Sequence, residues 1–123
     1  MEINNPLVLT EVSDKFARYE KALVDRDLSV MRELFWDSKY TLRYGVADEQ
    51  HGITELTAWR EAQAGLPEGR SLQDTEIVTF GDAFAVVNTV FTYPGEARRG
   101  RQSQTWVRIG GDWRIVSAHV SQI

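Results

Sequence analysis

Tyr19, Arg43 and His119 are the side chains with the most chemistry to offer, and each admits a plainer reading. Tyr19 sits on an apolar stripe with Val12, Phe16 and Leu23. As a packing residue it is an aromatic whose hydroxyl finds a backbone partner. As a functional residue it is a phenol facing a cavity, a proton donor or acceptor according to the charges around it. Arg43 falls in a β pattern, Tyr40 to Val46, on the face it shares with Thr41 and Gly45. Arginines in strands are ordinarily solvated or half of a salt bridge. Turned into a cavity, Arg43 could not deprotonate and would need an anion. Its planar fork matches a carboxylate through two parallel hydrogen bonds, and Gly45 would leave space for that guest. The pocket reading is preferred. His119 is either a general base or a hydrogen-bonded core histidine, and His51 lies beside a turn. Asp14, Glu20, Asp74 and Glu76 show no paired spacing of an acid/base dyad, and no Ser-His-Asp or cysteine arrangement is legible.

The wall behind these residues is the run from Gln102 to Gln122, two β-rich stretches flanking Gly110-Gly111-Asp112. Such a pattern is a hairpin. Strict alternation places Trp113, Ile115, Ser117 and His119 on one face and Arg114, Val116, Ala118 and Val120 on the other. The polar pair Ser117 and His119 among large residues suits a pocket wall. For the partner strand either face could be the cavity: Arg101, Ser103 and Thr105, or Gln102, Gln104 and Trp106. The plainer reading, preferred for one of the two faces, is a dimer interface with hydrogen-bonded glutamines. Trp36, Tyr44 and Trp59 are core or pocket wall. Arg98, Arg99 and Arg101 cluster at a loop, as an edge guarded against strand addition or as a funnel for anions.

The positioning elements follow from periodicity. The stripe from Leu9 predicts a helix ending near Val24, and Asp27 caps a shorter one through Leu34 and Phe35. A strand over Tyr40 to Val46, a very short one at His51 to Ile53 and a helix from Thr54, closed by Gly65 and Pro67, come next. Leu72 to Phe80 and Ala83 to Tyr93 then pair across Gly81-Asp82, and the terminal hairpin completes the chain. Helices gathered on one side of a bent, mostly antiparallel sheet define an α+β fold, one domain over residues 1–123, with a conical space against the first helix.

Composition narrows the function classes. A net charge of −4 is of the wrong sign for a nucleic-acid binder. There is no cysteine, and the two histidines offer no ligand pattern, so neither a metal nor an organic cofactor is expected. No stretch reaches membrane-spanning length and no signal peptide is legible, so the expectation is a cytoplasmic protein. The apolar Val116, Ala118 and Val120 on one sheet face predict a homodimer through opposed sheets.

Several motifs carry a resemblance. The order of elements and the ending Trp113-Arg-Ile-Val-Ser-Ala-His-Val-Ser121 resemble the nuclear-transport-factor-two-like, cystatin-like cone in its SnoaL-like branch. More narrowly, Phe16-Ala-Arg-Tyr-Glu20, Leu34-Phe-Trp36, Arg43-Tyr-Gly45 and Gly100-Arg-Gln-Ser-Gln-Thr-Trp-Val-Arg108 resemble the AtzH/HpxZ-like proteins of oxalurate, allantoin and cyanurate breakdown. The resemblance implies a small decarboxylating amidohydrolase acting on a carboxylated urea. It also implies that Tyr19 and Arg43 carry the site, with Trp36, Tyr44, Gln104, Ser117 and His119 as substrate-binding candidates. Two other classes stay open: a non-catalytic carboxylate-binding or accessory protein of an amidase pathway, and an isomerase or cyclase of the SnoaL-like kind.

Overall fold

The computed structural model describes all 123 residues, Met1–Ile123. Helix α1 spans Pro6–Asp25, earlier than the stripe from Leu9 suggests, because Asn5 and Pro6 form its start. The Asn5 side chain accepts from the Leu7 and Val8 amides, while Pro6 occupies a position where an N–H would have no helical partner. Helix α2, Leu28–Leu34, is capped by Asp27 accepting from the Val30 amide at 3.1 Å. Strands β1 (Leu42–Tyr44) and β2 (Glu49–His51) form a small hairpin, and helix α3 spans Ile53–Ala62. Strands β3 (Ser71–Phe80), β4 (Phe84–Thr92), β5 (Gly100–Ile109) and β6 (Asp112–Gln122) follow. The second strand thus precedes the predicted His51 to Ile53, and Asp48-Glu49 lies at its start instead of in a separate turn.

All six strands join one curved sheet in the order β2-β1-β6-β5-β4-β3. Only β1 against β6 is parallel. The α+β class with helices on one face of a mostly antiparallel sheet is what the order of elements predicts. Val12, Leu34, Trp106 and Ile115 lie at its centre with no solvent exposure.

One irregularity changes which residues face inward. Trp106 pairs with Ile115 and Thr105 with Ser117, so Val116 has no partner and β6 bulges there. An unpaired residue resets the two-residue alternation. Trp113 and Ile115 point into the core, and past the bulge Ala118, Val120 and Gln122 point the same way. Ser117 and His119 are therefore turned outward, with His119 exposed. The expectation that they line the pocket is wrong, because strict alternation does not survive the bulge. The residues chosen for a dimer face fail for the same reason: Ala118 and Val120 belong to the inner wall.

The far end of the sheet is tied to α1 by Glu11. Its carboxylate accepts from Trp113 Nε1 at 2.9 Å and from Arg108. The Trp113 bond, then the Arg108 guanidinium, hold the Glu11 pKa below the ordinary glutamate value. A depressed folded-state carboxyl stabilises the fold above its unfolded pKa and loses that contribution as pH falls through the folded one. Glu11→Gln is therefore expected to lower the melting temperature at neutral pH. The difference from wild type should shrink as pH drops below the ordinary glutamate range, read by calorimetric melts across pH.

Candidate functional site

The helices and the concave sheet face enclose a cavity of about 340 Å³. Tyr19 and Arg43 both border it, as does Gln104. Tyr19 is 3% exposed, held by an edge-on contact with Phe35. The α1 stripe that buries Val12 and Phe16 turns it toward the sheet. Its hydroxyl accepts a hydrogen bond from Arg60 Nη2 at 3.2 Å.

Arg43 is held on three sides. Its Nη1 donates to Asp48 Oδ1 at 2.8 Å and to Gln50 Oε1 at 3.0 Å, and Gln50 Nε2 donates back to Asp48 Oδ1 at 2.8 Å. The Trp59 ring lies 4.2 Å beneath the guanidinium. Burial lowers the Arg43 pKa, the Tyr19 oxygen works against that, the neighbouring Arg60 lowers it further, and Asp48 restores part of it. The remaining N–H groups of Arg43 meet no protein acceptor, so one edge of the fork stays available. Gly45 has a role other than leaving room for a ligand. A Cβ there would fall 2.4 Å from Asp48 Oδ1, so the missing side chain is what lets the Asp48 carboxylate cross to Arg43.

Gln104, on β5, is 2% exposed. Its Oε1 accepts from Trp106 Nε1 at 2.9 Å, and an indole N–H can only donate. That contact fixes which way the amide is turned and leaves Nε2 as a buried donor without a partner, on a residue lining the cavity. An unmatched buried donor costs about 1–3 kcal/mol unless a guest completes it. The inward face of β5 is thus Gln102, Gln104 and Trp106, which alternation alone left open.

A second charged cluster lies along the same wall. Arg70 donates to Glu20 through Nε at 2.9 Å and Nη2 at 3.1 Å, and through Nη1 to the Tyr93 hydroxyl at 3.1 Å. Gln102 Nε2 adds a bond to Glu20 at 3.3 Å. Burial works to lower the Arg70 pKa, but the Glu20 and Tyr93 contacts outweigh it and the net direction is upward. Phe91 lies 4.2 Å under this guanidinium and packs where a Gly100 side chain would stand, its Cζ 1.9 Å from the Cβ position.

The other expected residues lie elsewhere. Tyr44 is 38% exposed on the outer sheet face, its ring edge-on to His119 at 5.6 Å and to His51 at 6.3 Å. Trp36 stacks on Tyr40 outside the cavity, and its amide donates to the Ile115 carbonyl at 2.9 Å. Trp36, Tyr44, Ser117 and His119 are therefore withdrawn as ligand contacts in this cavity, while Trp59 does line it. Arg60 and Glu20 were missed although each carries a sequence signal. Arg60 follows Leu56 by four residues and Ile53 by seven; Glu20 follows Phe16 by four. Both charges thus lie on apolar helix stripes. Asp48 and Arg70 have no local signal, since only strand pairing and chain return bring them to the site.

Gly45→Ala tests the arrangement around Arg43. The displaced group is the end of a flexible side chain, so the protein is expected to fold, with a melting temperature lowered by the Arg43 charge left without Asp48. Ligand affinity or turnover should fall about tenfold as the Arg43–Asp48 bond breaks, which titration calorimetry or a rate assay reads directly. Unchanged function would show that Arg43 needs no such support.

No curated protein matches the chain. Among solved structures, it is similar to a cystatin-like fold protein from Burkholderia xenovorans LB400, at 45% identity and a TM-score of 0.97, covering 100% of this chain and 97% of that one. A protein of unknown function from Pectobacterium atrosepticum SCRI1043 is also 45% identical, with a TM-score of 0.95 and coverage of 98% and 94%. A nuclear-transport-factor-two-like protein of unknown function from Pseudomonas putida KT2440 shares 18% identity at a TM-score of 0.79, covering 94% of this chain and 86% of that one, and shows the fold alone. No helix is long and apolar enough to cross a membrane. The AtzH-like family model matches residues 1–123, the whole chain, and the protein belongs to the AtzH-like family.

Proposed function

We propose that this protein is a cofactor-independent hydrolase that cleaves the carbon–nitrogen bond of a carboxylated urea, with loss of the carboxyl carbon as carbon dioxide. The observation that carries the reading is the convergence of Tyr19 and Arg43 on one cavity, within a chain of the AtzH-like family. The available edge of Arg43 holds a carboxylate that stays on the substrate. In the reacting group, R–NH–COO⁻, the N–C bond breaks and its electron pair remains on nitrogen. Nitrogen takes the proton of the Tyr19 hydroxyl, which water restores, and carbon dioxide departs. With hydration the sum is R–NH–COO⁻ + H2O → R–NH2 + HCO3⁻.

Physical chemistry favours this division of labour. A guanidinium clamped on the departing carboxylate would stabilise the ground state more than the transition state, in which that charge is disappearing. Clamped on a second carboxylate, it orients the substrate without that penalty. The apolar Ala118 and Val120 on the same wall suit the group that loses its charge. The Gln104 Nε2 donor suits the urea oxygen.

The alternative reading is a binding or accessory protein for a small carboxylate, favoured by cavity cations with no nucleophile among them. Rates on carboxylated ureas separate the two. Tyr19→Phe is expected to lower kcat by roughly 10²–10⁴ with little change in KM, and Arg43→Ala to lower kcat/KM by roughly 10–100-fold. Wild-type rates in both variants would rule out the assignment. A homodimer across the outer sheet face belongs to the same proposal, resting on exposed Tyr44 and Phe84 in place of Ala118 and Val120. A monomer in sedimentation velocity at high micromolar concentration would remove it.

A further inference from the structure

Four guanidiniums border the cavity, and the protein already engages three of them with carboxylate or main-chain carbonyl oxygens of its own. Arg43 is tied to Asp48. Arg70 is tied to Glu20. Arg26 Nη2 donates to the main-chain carbonyls of Glu61 and Gln63, at 3.2 and 2.9 Å. Arg60 has neither a carboxylate nor a carbonyl partner. Its one hydrogen bond goes to the Tyr19 hydroxyl at 3.2 Å, and the rings of Trp59 and Phe35 lie 5.6 and 5.9 Å from its centre. The fold leaves this positive charge unanswered, and a partly buried charge without a counter-ion is one that a ligand can complete.

The single bond also has a direction. A guanidinium has no acceptor, so in its contact with Arg60 the phenol oxygen must accept. Tyr19 donates to no protein group, so its own proton is left for the occupant of the cavity. The guanidinium that attracts the anion therefore also sets the sense of the phenol. Arg60 borders a second, apolar recess of about 160 Å³ beside Leu56 and Phe35, so it has space in which to adjust to a guest.

We propose that Arg60 binds the anionic group of a small carboxylate ligand and, by donating to the Tyr19 oxygen, keeps the phenolic proton directed at that ligand. Arg43 contributes a rigid, oriented fork; Arg60 contributes the charge that the protein does not neutralise. The second half of this inference rests on Tyr19 being the proton donor of the proposed reaction, whereas the first half requires no turnover.

Titration calorimetry with malonate, a small dicarboxylate with no bond to hydrolyse, tests the first half. Arg60→Gln is expected to weaken malonate by roughly tenfold or more, and Arg60→Lys to recover part of the loss. Arg32→Gln, whose Nη1 meets Thr57 away from this cavity, should stay within about threefold of wild type. Circular dichroism melts confirm that each variant is folded. Undiminished malonate binding by folded Arg60→Gln, or no malonate binding by wild type, overturns the proposal. A double-mutant cycle on a carboxylated urea tests the second half. Arg60→Gln should lower kcat in the wild-type background and by less than about threefold in the Tyr19→Phe background. Equal losses in both backgrounds overturn the positioning role. Should wild type turn over no carboxylated urea while Arg60→Gln still loses malonate, the hydrolase reading fails and the anion-binding role of Arg60 stands.

Discussion

Four arginines facing one small cavity repel one another, and much of the surrounding structure manages that repulsion. Three of them are answered by acids or main-chain oxygens, each differently, while Arg60 meets only the Tyr19 hydroxyl. Glu20 meets Arg70 with both carboxylate oxygens, Asp48 takes one nitrogen of Arg43 with Gln50 closing the ring, and main-chain oxygens meet Arg26. Aromatic faces lie under Arg43 and Arg70. Removing an acid from such a cluster would leave a buried charge uncompensated, which costs more than the pair itself contributes. The cationic wall of the cavity is therefore preorganised by acids that pair with its arginines.

The sheet supplies the other half of that preorganisation. Its bulge at Val116 exchanges the phase of β6, so that Trp113 and Ile115 fill the core at one end while Ala118, Val120 and Gln122 line the cavity at the other. One strand can in this way serve a dry core and an open cavity with the same face. Absence of a side chain at two glycines does related work. Gly45 admits the Asp48 carboxylate and Gly100 admits the Phe91 ring, each bringing a partner within reach of an arginine.

Much of the fold is legible in the sequence. The apolar spacing of Val12, Phe16 and Tyr19 marks the buried side of α1, and the glycine turn at Gly110 and Gly111 marks the last hairpin. Arg60 and Glu20 could have been read from the same rule, as charges on apolar stripes. Ser117 and His119 could not have been placed correctly by alternation, because a bulge carries no reliable local signature in this run. Tyr44 and Trp36 misled for another reason: aromatic residues suit a cavity wall, an outer sheet face and a core equally well.

What the sequence determined by itself is the set of elements, their order and the apolar faces they must bury, since helix and strand periodicities are local properties of neighbouring residues. The tertiary structure alone decided which charges meet. Arg70 and Glu20 lie 50 residues apart, Arg60 and Tyr19 41 apart, and their contacts arise only when the sheet curls over α1. A side chain's neighbours across such distances depend on strand register and one unpaired residue, and a one-residue shift reverses the direction in which every side chain points.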